Sequence, residues 1–319
     1  MTPETHAWTT ADAAAHLRRP TASDDKYSRG VVGVRTGSDR YPGAAVLGVE
    51  AAHRTGAGMV RYIGPARAED LVLARRPETV TGAGRVQAWL VGSGTDAAAR
   101  TVTETEALRA LFGGEAPIVV DAGALDLVPG RDAAAPVVVT PHASEHARLR
   151  ELAGLGQNGD VHGGGLRGGA SDRAGAAVET AAALGVTVLL KGARTIVATP
   201  AGAVRTVDAP TSWLAVAGTG DVLGGILGAL VAAASAERPL DAEDLGPLAA
   251  TAALVHGHAA RAASAARAGG PITAAHEFVA ADEAQADAGA DREDGELRGV
   301  LPDAEPVLGD GERVHVVVD

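Results

Sequence analysis

Ala217-Gly218-Thr219-Gly220-Asp221 leads straight into Val222-Leu223-Gly224-Gly225-Ile226-Leu227-Gly228-Ala229-Leu230, a glycine turn that opens an apolar helix. The glycines permit a tight turn with exposed backbone N–H groups, and the run that follows has no polar face, as expected of a helix buried all round. The N-terminus of such a helix carries unpaired N–H donors and the positive end of the helix dipole, which suits an anion. Asp221 falls in the first turn. It either caps the helix or, beside a bound phosphate, takes a proton from an attacking hydroxyl. So short a motif arises readily by chance in a chain with 42 glycines, and its weight depends on its surroundings.

Those surroundings alternate strand and helix. Val31-Val32-Gly33-Val34 precedes a Gly-containing turn and a helix over 43–55, and Met59 to Ile63 follows as a second strand. Further strands are expected at Ala88 to Gly92, Pro117 to Asp121, Val137 to Thr140, Val186 to Leu190, Thr195 to Ala198 and Val204 to Val207, the last two as a hairpin around Pro200-Ala201-Gly202. Helices are expected near 96–112, 144–153, 172–184, 221–235 and 241–268. Short strands apolar on both faces and separated by helices predict a mostly parallel sheet covered on both sides, a three-layer α/β/α architecture. Ligands of such sheets bind beyond the C-terminal strand edges. Asp121, Thr140-Pro141-His142 and Lys191 each follow a strand directly.

Composition narrows the function classes. A net charge of −12 argues against nucleic acid or an anionic membrane as partner. No cysteine is present, which excludes disulfides, thiolate catalysis and Cys-ligated zinc. The longest strongly apolar run, Val222 to Ala236, is too short for a membrane span, and no signal-peptide pattern opens the chain. The reading is a soluble cytoplasmic protein. Of 28 basic residues only Lys26 and Lys191 are lysines, so each merits attention. Gly163-Gly164-Gly165-Leu166-Arg167-Gly168 matches a dinucleotide fingerprint in form but has no strand before it. Residues 1–25 read as an irregular segment, 26–280 as one α/β domain, and 281–319 as an acidic, loosely ordered tail. Val314 to Val318 is a candidate edge strand, and Gly156 to Gly169 a mobile loop.

An ordered series of short pieces carries a family resemblance: Lys26-Tyr27-Ser28-Arg29-Gly30, Tyr41-Pro42-Gly43-Ala44-Ala45-Val46-Leu47, Arg54-Thr55-Gly56-Ala57-Gly58-Met59-Val60, Val91-Gly92-Ser93-Gly94, Val119-Val120-Asp121-Ala122, Thr140-Pro141-His142, Leu190-Lys191-Gly192-Ala193 and Ala217 to Leu223. The chain resembles the bacterial ADP-dependent NAD(P)H-hydrate dehydratases of the ribokinase-like superfamily. The resemblance implies repair of hydrated NADH and NADPH (NADHX and NADPHX, S epimer). A nucleotide phosphorylates the ring hydroxyl and the phosphate then leaves, restoring the reduced nicotinamide. It implies ADP or ATP as co-substrate, Mg2+ as cofactor, and a separate epimerase acting on the same hydrate.

Residue roles follow from the resemblance. Asp221 would be the base, with Gly218 and Gly220 holding the phosphoryl group on backbone N–H donors. Ala44, Gly94, His142 and Asp221 would contact the hydrated dinucleotide. Lys191, Gly192, Ala193, Arg194, Thr195 and Gly220 would bind ADP or AMP, and Glu145 would stand near magnesium. Asp121 is read as a structural acid, with a catalytic role left open. Three departures from the family pattern stand out: Gly123 replaces a usual acid, Ala143-Ser144 follows His142 in place of Pro-Gly, and Pro210-Thr211-Ser212-Trp213 replaces Gly-Asn-Pro-Gly. The rival readings are a vitamin-precursor kinase of the same fold and a non-catalytic adenine-nucleotide-binding protein. A homo-oligomer is compatible with the sequence.

Overall fold

The valine-rich runs form the centre of one ten-stranded sheet in the computed structural model, which describes residues 4–132, 134–156 and 170–276. In chain order the elements are β1 (Thr5–Ala7), α1 (Thr10–Ala14), β2 (Val31–Arg35), α2 (Gly43–Arg54), β3 (Met59–Tyr62), α3 (Ala66–Arg75), β4 (Val80–Thr81), β5 (Ala88–Val91), α4 (Val102–Phe112) and β6 (Ile118–Val120). They continue with β7 (Val137–Val139), α5 (Ala143–Leu152), α6 (Ala170–Leu184), β8 (Thr187–Leu190), β9 (Arg194–Ala198), β10 (Val204–Asp208), α7 (Thr219–Glu237) and α8 (Leu245–Ala265). The sheet order is β1-β10-β9-β8-β7-β6-β5-β2-β3-β4. β9 runs antiparallel to both its neighbours, and every other pair is parallel.

Side chains alternate across the strands, and each face meets its own helices. Val119, Val138 and Leu189 join the core cluster that includes α2, α7 and α8, whereas Val120, Val139 and Leu190 face the cluster that includes α4, α5 and α6. The three-layer α/β/α expectation therefore holds. α7 is the one helix among the described residues long and apolar enough to cross a membrane, yet two thirds of its apolar window is buried inside the fold. It packs tightly on α2, because a Cβ on Gly225 would stand only 2.7 Å from the Ala51 Cβ.

The N-terminal segment differs from the irregular reading. Thr5–Ala7 pairs parallel to β10 at the sheet edge, and Thr9 and Asp12 form a reciprocal capping box that starts α1. Trp8 then anchors the segment, its Nε1 donating to Thr251 Oγ1 at 3.2 Å. Two helix starts also move. α4 begins at Val102 with Thr101 as its cap, not at 96. α8 begins at Leu245 because Asp241 to Asp244 closes a turn, with Asp244 N donating to Asp241 Oδ1 at 3.0 Å. The glycine-rich stretch beyond Gly156, the 281–319 tail and the candidate strand Val314 to Val318 lie outside the described residues.

Candidate functional site

Parallel strands deliver their following residues to one edge, and three of them converge on the carboxylate of a fourth, Asp121. Asp121 follows β6 and is buried. Its Oδ2 accepts from Ser93 Oγ at 2.9 Å, while its Oδ1 accepts from Thr140 Oγ1 at 2.8 Å and from Lys191 Nζ at 2.8 Å. Ser93 follows β5, Thr140 follows β7 and Lys191 follows β8, so this acid ties together the ends of four adjacent strands.

α7 opens onto the same place. Its N-cap is Gly218, at φ +91°, a left-handed conformation that favours glycine. The cap offers no side chain to the first-turn N–H groups, which leaves an anion cradle. Gly220 brings the backbone close to Lys191, since a Cβ there would stand 3.5 Å from the ammonium. Asp221 sits in this first turn. Burial pushes its pKa up to about 7, the Asp121 charge adds to the rise, and Lys191 opposes it. An acid so placed is half ionised near neutrality, where a general base works best.

Ala44 and Gly94 come together beside this edge. A Cβ on Gly94 would stand 2.5 Å from the Ala44 Cβ, and its φ of +66° also demands glycine. His142 and Glu145 form a capping box for α5. Glu145 Oε2 accepts from His142 N at 2.8 Å, and His142 Nδ1 accepts from Glu145 N at 3.3 Å. Glu145 also stands 3.9 Å from Lys191 Nζ.

A cavity of about 370 Å³ extends from the cradle, lined by Lys191, Gly192, Ala193, Thr195 and Gly220 together with Thr219, Leu223 and His256. Five of the six residues expected to bind nucleotide thus share one wall. Arg194 does not join them: its guanidinium pairs with Asp208 at 2.6 Å on the surface. The sequence reading missed His256 as a lining residue, because its neighbours on α8 give no sign of which face meets the cavity. The Asp121–Lys191 pair was missed as well, since 70 positions separate the partners.

Among the described residues no group of three or more His, Asp or Glu side chains is placed to hold a metal ion.

Layering and sheet order define a three-layer α/β protein of ribokinase-like fold. The family profile described as NAD(P)H-hydrate dehydratase matches residues 32–280, and the chain belongs to that family. It is 47% identical over 235 residues to the bifunctional NAD(P)H-hydrate repair enzyme Nnr of Mycobacterium tuberculosis, which covers 69% of this chain and 45% of that protein. The chain therefore matches about half the length of such curated relatives. It is 32% identical over 235 residues to the ADP-dependent (S)-NAD(P)H-hydrate dehydratase of Neisseria meningitidis, covering 68% of this chain and 74% of that protein. The solved ADP/ATP-dependent NAD(P)H-hydrate dehydratase of Bacillus subtilis, co-crystallized with ATP and Mg2+, superposes with a TM-score of 0.72 at 24% identity, over 90% of this chain and 98% of that one. That likeness shows the fold.

Proposed function

We propose that this protein dehydrates the S epimer of NADHX and NADPHX, using ADP as phosphoryl donor and releasing AMP and phosphate. The observation that carries the reading is Asp221: a buried acid with a pKa pushed up to about 7, in the first turn of a helix whose cap is a bare glycine. Asp221 takes the proton of the ring hydroxyl as its oxygen attacks the terminal phosphorus of ADP. The P–O bond to AMP breaks and the AMP oxygen leaves. The ring nitrogen lone pair then expels phosphate, a far better leaving group than hydroxide, leaving an iminium, and loss of a proton from the ring carbon next to the vacated one restores the dihydropyridine.

The cradle of Gly218 to Gly220 supports this path, because backbone N–H donors stabilise phosphoryl charge without reorganising. The cavity lined by Lys191, Gly192, Ala193, Thr195 and Gly220 suits the nucleotide, and Ala44, Gly94 and His142 would meet the hydrated dinucleotide. Glu145 would hold Mg2+ together with phosphate oxygens, and the ion when bound neutralises phosphate charge. The substrate forms as two epimers, so a separate epimerase would supply the reactive one.

Purified protein given NADHX and ADP should regain the absorbance of reduced nicotinamide. Asp221→Asn should bind ADP normally and lose about 10²–10⁴-fold in turnover. Full activity in that variant would remove Asp221 as base. A stable phosphorylated alcohol in place of reduced nicotinamide would assign a kinase.

A further inference from the structure

Asp121 has more partners than a structural acid at a strand end needs. Two hydroxyls, Ser93 Oγ and Thr140 Oγ1, fix its orientation at 2.9 Å and 2.8 Å, and a charged partner, Lys191 Nζ, completes the set at 2.8 Å. An ammonium carries three N–H donors. One of those on Lys191 goes to Asp121, and Glu145 Oε2 at 3.9 Å is beyond hydrogen-bond reach. The same ammonium lies against the first turn of α7, 3.5 Å from the place of a Cβ on Gly220. It also lines the cavity that leads from the cradle.

We propose that Asp121 is a positioning residue: it holds the Lys191 ammonium against the first turn of α7, where the remaining N–H donors meet the phosphoryl group in transit. The inference rests on the phosphoryl-transfer reading above and adds a residue to it. The lysine stem is long and flexible, and a fixed cation stabilises developing charge only if its location is set beforehand. Asp121 sets it, and Ser93 and Thr140 set Asp121.

The chain offers an unusually clean test, because Lys26 and Lys191 are its only lysines. Full-length protein labelled with ¹⁵N,¹³C-lysine should give two side-chain signals, assigned with Lys26→Arg. Adding ADP should move the Lys191 signal and leave Lys26 in place. Asp121→Asn should move the Lys191 signal without nucleotide, and should lower kcat about tenfold or more with KM for ADP held within about threefold. Thr140→Val, which loosens Asp121 without touching Lys191, should shift the Lys191 signal in the same direction and lower kcat by a smaller factor. It serves as the second variant if Asp121→Asn does not fold. A Lys191 signal unmoved by ADP overturns the proposal, as does a wild-type kcat in Asp121→Asn. So does an Asp121→Asn that loses thermal stability while its Lys191 signal stays put, the behaviour of a purely structural tie. The lysine signals need no hydrate, so a wild type that moves Lys191 with ADP but never restores reduced nicotinamide refutes the dehydratase reading and leaves this one standing.

Discussion

Asp221 shares its corner of the site with a second carboxylate, Asp121, whose charge adds to the effect of burial and lifts the Asp221 pKa to about 7, against 3.8 for a free aspartate. As a base it works only when ionised. We therefore expect kcat/KM for the hydrate to be flat above neutrality and to fall below about pH 7 with the slope of one proton. A profile flat down to pH 5 would contradict Asp221 as the titrating base.

The same shift bears on stability. The folded protein binds the Asp221 proton more tightly than the unfolded chain does, so the contribution of this group falls as pH rises from about 3.8 to 7 and then levels off. Removing the ionisable group should relieve that cost. Asp221→Asn is expected to be more stable than wild type at pH 8, by a few kcal/mol at most and on the order of 1 kcal/mol after relaxation, with the gain vanishing toward pH 4. Urea titrations at the two pH values measure it, and a gain of equal size at both would point to packing instead.

Glu50 presents the opposite case, a fully buried carboxylate surrounded by cations. It accepts from Arg54 at 2.8 Å, Arg75 at 3.0 Å and Arg76, tying α2 to α3 and the residue that ends it. Burial raises its pKa, and the arginines, Arg76 foremost, more than reverse that. Glu50→Gln leaves three guanidinium groups facing a neutral amide, and should cost about 3–5 kcal/mol in unfolding free energy by chemical denaturation. A loss of under about 1 kcal/mol would mean that the arginines turn out to solvent, as exposed pairs do.

How much of this was legible in the sequence depended on burial. Val31 to Val34, Ile118 to Val120, Val137 to Val139 and Thr187 to Leu190 announced themselves because both faces of a covered sheet demand apolar residues. Thr5–Ala7 and Val80–Thr81 did not, being two or three residues at sheet edges, too short to show alternation. α3 was missed because it buries only Ala68 and Val72 and carries a largely charged surface. In the site, glycine turns and strand ends could be read along the chain. The partners of Asp121 could not, because they come from three other strands and only the sheet brings them together.

Gly225 tests the packing that holds the cradle helix in place. A methyl group there would stand 2.7 Å from the Ala51 Cβ and closer still to the α2 backbone at Gly48, so α7 has no room for a side chain at this position. Helix propensity alone favours Gly225→Ala. The clash should outweigh it, giving a net loss of about 1–3 kcal/mol and a lower Tm in calorimetry. An unchanged or raised Tm would show that α2 and α7 separate at little cost.

Arg194 separates the backbone of the proposed nucleotide segment from its side chains. Its neighbours Lys191, Gly192, Ala193 and Thr195 line the cavity, but its own guanidinium turns outward to Asp208, with contacts at 2.6 Å and 3.0 Å. Exposed pairs of this kind contribute little, since solvent screens them and both side chains lose freedom. Arg194→Ala should therefore leave the ADP dissociation constant within about twofold of wild type, whereas Lys191→Ala, which removes a cation at the cradle, should weaken ADP by about tenfold or more. Calorimetric titration of the three proteins decides between them. If Arg194→Ala weakens ADP as much as Lys191→Ala does, the arginine swings inward when nucleotide binds, and the outward pair with Asp208 is the resting position of a nucleotide clamp.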